Sequence, residues 1–336
     1  MKSKINRIMF FMGLTSLIFP TFCGALADNA IDISDKILKV KEPVLFHCIS
    51  PNSFAVFDWG EKKLKFFNWS FELQRAITLS MGEGPGEIKQ SVLSACVVNE
   101  KTYLIGLMEK RINVYDRKGL FIKAMKLDFI PKKMVCYEDK LYIFNVSFLA
   151  KKKSPLLGKI INLNLKNSEK DIILKDDLEL NKSFNGNPVL LGLSSIFDVG
   201  DNKKIYLLIS TANVLFEIGE NGKLIDKTNL PYKERIVFRT IKGNDEEQRV
   251  ISVLDWYQDM KVLKNVVYTC FLKHLKKDKK TGRDIYHTYV IKHLENSKYS
   301  EKIFDGNFVI IGEYKENLFL FNTESYQVLN VKLTEW

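Results

Sequence analysis

Histidine is scarce in this chain of 336 residues: His47, His274, His287 and His293 are all there are. None forms an H-E-x-x-H or H-x-H arrangement, so the common histidine signatures of a zinc enzyme are missing. Cysteine is nearly as rare, with five residues and no C-x-x-C pair, which argues against structural zinc. Only 8 residues are proline while 46% are hydrophobic, a balance that excludes disordered and collagen-like chains. Outside the N-terminus no stretch approaches 18 consecutive apolar residues, the length a membrane-spanning helix needs. A chain this long buries about 75% of the surface its unfolded form exposes, so it needs no disulfide or metal to supply stability.

The formal charge of +11 includes Lys2, Lys4 and Arg7, and no acidic residue precedes Asp28. Spread over the remaining chain, the excess is mild and says little about a partner. Those three cations precede an apolar stretch from Ile8 to Phe19, and Ala25-Leu26-Ala27 stands directly before Asp28. This is the order of a signal peptide, with residues 1–27 removed and residues 28–336 forming one mature domain. Phe22 occupies the position where a lipobox needs a small residue, which argues against lipid anchoring through Cys23. The expected location is therefore periplasmic or secreted, with no transmembrane segment in the mature chain.

Six similar units organise the rest. The clearest begins Phe54-Ala55-Val56-Phe57-Asp58, then Leu64 to Asn68, then Phe71-Glu72-Leu73. Matching units open at Tyr103 and at Tyr206, the latter with an Asn221-Gly222 hairpin turn, and weaker ones open at Tyr142, Val267 and Phe319. The openings are 39 to 64 residues apart, which suits four-stranded blades with some long loops. Period-2 alternation and aromatic enrichment predict strands throughout. The expected fold is all-β, a six-bladed propeller, because radial closure leaves only short protected sheet edges. Residues Ile31 to Val40 have strand character and no unit of their own. They are expected to complete the last blade as its outer strand, closing the ring.

Cys48, Cys96 and Cys136 stand six or seven residues ahead of the aromatic in their units. Equivalent positions in neighbouring sheets are about 10 Å apart, too far for a disulfide, so these cysteines and Cys270 are expected as free buried thiols. His47 and Cys48 point to opposite faces of one strand, and His287 and His293 lie about 20 Å apart along another, so neither pair forms a site.

At the first unit boundary stands Met81-Gly82-Glu83-Gly84-Pro85-Gly86-Glu87-Ile88. Three glycines and a proline within five positions allow the positive φ and fixed turn that a chain needs to cross between blades. The segment lacks the P-loop lysine and opens no helix, and Glu83 and Glu87 would repel phosphate. With the six units, it resembles the exported bacterial six-bladed β-propellers related to NHL-repeat and TolB-like proteins. Their junctions carry G-x-G-P-G-E followed by an aromatic or aliphatic residue, and Gly82, Gly84, Pro85, Gly86 and Glu87 match. The third and fifth units depart from that pattern through long loops. The resemblance implies fold and export. It implies little chemistry, because many members have no known activity.

Two readings of function follow. Asp198, Asp255 and Glu313 each follow apolar residues near the start of a unit. If they converge at the central channel they could hold calcium or zinc, making a metal-dependent hydrolase or a lactonase-like enzyme. The bland expectation is that they accept amide hydrogens at strand ends. The leading reading is a non-catalytic exported propeller, without cofactor, that binds a protein, peptide or glycan of the cell envelope through its loop face. Lys273, Lys276, Lys277, Lys279, Lys280 and Arg283 surround Thr281-Gly282, and Lys151 to Lys153 form a second basic run. Without interleaved aromatics these read as solvated loops rather than a nucleic-acid site.

Overall fold

A computed structural model describes residues 30–31, 43–50, 53–146, 158–165, 170–172, 195–210, 212–242, 247–294, 298–325 and 327–336. The expected signal peptide, residues 1–27, lies outside them, as do Lys151 to Lys153. Among the described residues there is no α-helix, and none is long and apolar enough to cross a membrane.

Six antiparallel sheets make six blades. Blade one holds Pro43–Ser50, Ser53–Asp58, Lys63–Asn68 and Leu73–Thr78. Blade two holds Val92–Val98, Lys101–Gly106, Arg111–Tyr115 and Phe121–Lys126. Blade three holds Pro131–Tyr137, Lys140–Val146, Gly158–Asn164 and Lys170–Ile172. Blade four holds Ser195–Val199, Ile205–Ile209, Val214–Ile218 and Leu224–Asn229. Blade five holds Glu247–Leu263, Val266–Lys277, Asp284–His293 and Tyr299–Asp305, with Arg235–Lys242 added beside the first of these. Blade six holds Phe308–Tyr314, Asn317–Asn322 and Val328–Lys332, and Ala30–Ile31 pairs with Leu329 and Val328. The first strands neighbour one another in a closed ring, blade six meeting blade one, so they are the inner strands around a central axis.

Position in the blade explains each strand's composition. A second strand has neighbouring blades on both faces, and all five residues of Ile205–Ile209 are buried. Outer strands meet water: Phe121–Lys126 and Leu224–Asn229 are almost wholly exposed or half-buried. The six sequence openings, Phe54, Tyr103, Tyr142, Tyr206, Val267 and Phe319, all fall on second strands and are buried. Tight two-residue turns join inner to second strands at Asn99-Glu100, Lys264-Asn265 and Lys315-Glu316, all with positive φ, as type I′ geometry requires. Third and outer strands of blade four turn at Asn221-Gly222, where Gly222 has φ +82 and its N–H donates to Gly219 O at 2.9 Å.

Blades one and six are joined by an aromatic cluster. Phe54, Phe67, Trp69 and Phe71 pack with Ile311, Phe319, Phe321 and Val328. The Trp69 ring lies 5.2 Å from Phe54 and 5.1 Å from Phe319, and stacks on Tyr314 at 6.0 Å.

Candidate functional site: the central channel and its raised rim

An inner strand has a second strand on one side only, so its other edge presents unpaired N–H and C=O groups toward the channel. These groups need partners. Side chains from the neighbouring inner strand supply them. Ser94 Oγ donates to Met134 O at 2.8 Å and accepts from Met134 N at 3.1 Å, tying blade two to blade three. Lys132 donates to Ser195 O and to Ser195 Oγ, tying blade three to four. Asp198 accepts from Val262 N at 2.9 Å, tying four to five, and from its neighbour Val199 N at 3.0 Å. Asp259 accepts from Ile310 N at 2.9 Å and Gln258 donates to Phe308 O, tying five to six. Polar residues in the inner strands thus act as lateral clamps between blades.

Two strongly perturbed groups, Lys132 and Glu234, stand on segments at the end of the ring where the inner strands begin. Burial pushes the Lys132 ammonium down to about 7, with Lys133 adding repulsion. Glu234, on the approach to blade five, is pushed up to about 7 by burial, partly offset by Ser210 and Lys132. Among the described residues its buried Oε2 has no hydrogen-bond partner. Lys133, one residue further in, is pushed down to about 8 by burial and by Lys261, despite Asp198 and Asp259.

Blade five rises above this mouth. Residues 256–263 of its inner strand pair with the second strand, while 247–255 run on and pair with Arg235–Lys242. The second and third strands overrun in the same direction, because Lys277 pairs with Asp284 five residues beyond Leu272, the partner of Trp256. Two hairpins therefore project from one face. At their base Arg235 Nε lies 2.8 Å from Asp255 Oδ2, and Asp255 Oδ1 accepts the His274 N–H at 2.8 Å. His274 Nε2 meets Asp284 Oδ1 at 2.8 Å, and Trp256 packs edge-on against Tyr286. The tip is turned by Asp278, which accepts from Lys280 N and Thr281 N at 2.7 and 2.8 Å, and those bonds hold its carboxyl below the usual range. Lys276, Lys277, Lys279, Lys280 and Arg283 are all exposed around that turn.

The three carboxylates of the metal hypothesis do not gather. Asp198 clamps blade five, Asp255 anchors the raised hairpin, and Glu313 meets Lys264 at 2.5 Å. Asp255 and Val262, the partner of Asp198, are seven residues apart on one strand, roughly 23 Å at strand spacing. Among the described residues no three His, Cys, Asp or Glu side chains are grouped to hold a metal ion. Two of the three accept backbone amides instead. His287 and His293 also part company: His287 meets Asp305 at 2.8 Å, and His293 meets Thr269 at 3.0 Å, its pKa pushed down to about 4 by burial. Of His47 and Cys48 only the backbone, on the inner strand of blade one, is described.

The Gly82–Glu87 loop joins the outer strand of blade one to the inner strand of blade two. Glu87 turns back into it, its Oε2 accepting the Gly84 N–H at 2.6 Å. A Cβ on Gly82 would sit 2.2 Å from that oxygen, and one on Gly86, at φ +78, would sit 2.7 Å from Phe121 Cγ. Arg111 donates to Glu83 O and Glu87 O at 2.8 and 2.9 Å, and Tyr115 donates to Gly86 O at 2.9 Å. The glycines make room for the loop's own carboxylate, so the acceptor this loop holds is internal.

Sequence reasoning missed Lys132, Glu234 and Asp259. Lys132-Lys133 inside an otherwise apolar inner strand was the one available signal, since a polar pair there must find partners. Together the closed ring of inner strands and six sheets define a six-bladed β-propeller. No protein-family model matches the chain, and no curated protein matches it by sequence. Among solved structures it is similar to a member of the DUF4221 family from Bacteroides vulgatus ATCC 8482, with TM-score 0.55 and 10% identity over 87% of this chain and 91% of that one. It is also similar to a protein from Bacteroides fragilis NCTC 9343 that carries the name of an exported protein, with TM-score 0.52 and 14% identity over 84% and 80%. Virginiamycin B lyase from Staphylococcus aureus aligns at TM-score 0.46 and 9% identity over 90% and 97%. At such identities the likeness is one of fold.

Proposed function

We propose that the protein is exported and acts without catalysis, binding an anionic protein or glycan of the cell envelope through the face from which the blade-five hairpins rise. The observation that carries this reading is the overrun of the second and third strands of blade five, Val266–Lys277 and Asp284–His293, whose turn carries the exposed Lys276, Lys277, Lys279, Lys280 and Arg283. At 12 and 10 residues these two strands are longer than any strand of the other five blades, and such an overhang is costly to keep unless it meets a partner. The order of residues 1–27 supports export, and a neighbour of the same fold is named as an exported protein. Charge reversal tests the face: Lys276, Lys277, Lys279 and Lys280 all changed to Glu. The unaltered protein should be retained on an immobilised acidic polysaccharide and released by salt, and the variant should flow through while melting at the same temperature. Equal retention of both would end this reading.

We also propose that residues 31–40 continue the edge begun by Ala30–Ile31 and close blade six. Deleting residues 28–40 uncovers the edge of Val328–Lys332 and should lower the melting temperature by at least 3 °C, or cause aggregation, because an open apolar sheet edge templates pairing. A truncated protein that melts with the mature one would leave the segment as a tail.

A further inference from the structure

The inner strands of blades two and three run side by side in the same direction, pinned by the double contact between Ser94 Oγ and the Met134 backbone. Two residues on from each partner stand Cys96 and Cys136, and period-2 alternation brings both onto the faces that look across the gap. These two inner strands approach more closely than the spacing of about 10 Å expected between neighbouring sheets. Cys96 Sγ reaches Met134 O at 3.8 Å, and Cys136 Sγ reaches Val97 O at 3.7 Å, so each thiol leans onto the opposite strand. The thiols stand at matched positions on neighbouring strands, and each alters the acidity of the other. Cys96 is 3% exposed within an apolar cluster, while Cys136 is only half-buried at its edge. Both are free.

We propose that Cys96 and Cys136 are a modification site, a dithiol that becomes a disulfide between blades two and three on meeting a disulfide-bonded oxidant. The order of events follows from access and acidity. Cys136 is the less buried of the two, and burial raises the Cys96 thiol well above its ordinary value while the nearby Cys96 lowers that of Cys136, so Cys136 is the attacking thiolate. It bonds to one sulfur of the oxidant, whose other sulfur leaves and takes up a proton. Cys96 then gives up its proton and attacks the Cys136 sulfur, and the second oxidant sulfur leaves as a thiol. Two cysteine thiols lose two protons and two electrons, and one external disulfide becomes two thiols. Ring closure across adjacent blades ties a segment of the denatured chain without moving the binding face, so this site stands apart from the hairpins of blade five.

Purified full-length chain is incubated with oxidised glutathione, acid-quenched, unfolded in iodoacetamide without reductant, and digested. The expected product is a peptide pair joined through Cys96 and Cys136 that disappears on reduction, with Cys270 alkylated. The oxidised protein should also melt roughly 5 °C or more above the reduced one, as a loop of about 40 residues is closed in the unfolded state. In Cys136→Ser, Cys96 should be recovered alkylated. Glutathione retained on Cys136 beside an alkylated Cys96 would overturn the proposal, and so would alkylation of both cysteines or a link from Cys96 to any other cysteine.

Discussion

Asp58→Ala is expected to destabilise the protein by about 3 to 5 kcal/mol, because it leaves a buried ammonium without its closest partner. Asp58 is 0% exposed and Lys65 2%, and Lys65 Nζ donates to Asp58 Oδ2 at 2.7 Å. Glu61, 3.2 Å from the same ammonium, is nearer solvent and shared with Lys63. It cannot replace the carboxylate at the end of strand Ser53–Asp58. Lys65 sits opposite Val56 in a strand whose other central residues are Leu64, Phe66 and Phe67, all buried. With Asp58 gone, the hairpin must open to let water reach the ammonium. Denaturant titration should show a lower midpoint, and Asp58→Ala with Lys65→Met should recover most of the loss, since an apolar pair of similar volume needs no partner. A single mutant that unfolds with the unaltered protein would show that the pair contributes nothing net.

Trp69→Ala should cost a similar amount, about 3 to 5 kcal/mol, by opening the seam between the first and last blades. Opening that interface exposes a sheet face on each of the two blades that meet there. Trp69 is 6% exposed and touches rings from both blades, Phe54 on one side and Phe319 and Tyr314 on the other. Its removal leaves a cavity lined by aromatic side chains that cannot collapse without shifting a whole blade. Thermal scanning should show an earlier and less reversible transition, with more dye binding to exposed apolar surface before the midpoint. Leu120→Ala is the comparison, since Leu120 is 64% exposed and its loss should leave the transition where it was. If Trp69→Ala melts like Leu120→Ala, the aromatic seam is not what holds the ring shut.

The six blades were legible in the chain because second strands are buried on both faces and turn into apolar runs such as Ile205–Ile209 and Asn317–Asn322. Their spacing, and hairpin turns such as Asn221-Gly222, are local properties that need no tertiary knowledge. The junction loop was also legible: glycines at 82, 84 and 86 and a carboxylate at 87 are a self-contained device. What could not be read was the role of the inner-strand polar residues. Asp198 looked like a channel ligand, yet it spends its oxygens on the amides of Val199 and Val262. Its functional counterpart in the next blade is Asp259, not Asp255, because the inner strand of blade five begins eight or nine residues earlier than its blade does.

Sequence alone therefore determined the class of fold, the number of blades and the form of their turns, all written in short-range alternation and turn chemistry. Only the tertiary structure decided which side chains meet across blades. Lys132 reaches Ser195 of the next blade, Cys96 and Cys136 each lean onto the other's strand, and the blade-five hairpins project from one face. Each of these depends on how closely the inner strands approach the axis and how far one is staggered against the next. Those quantities are set by packing six sheets into one ring, and no local pattern encodes them.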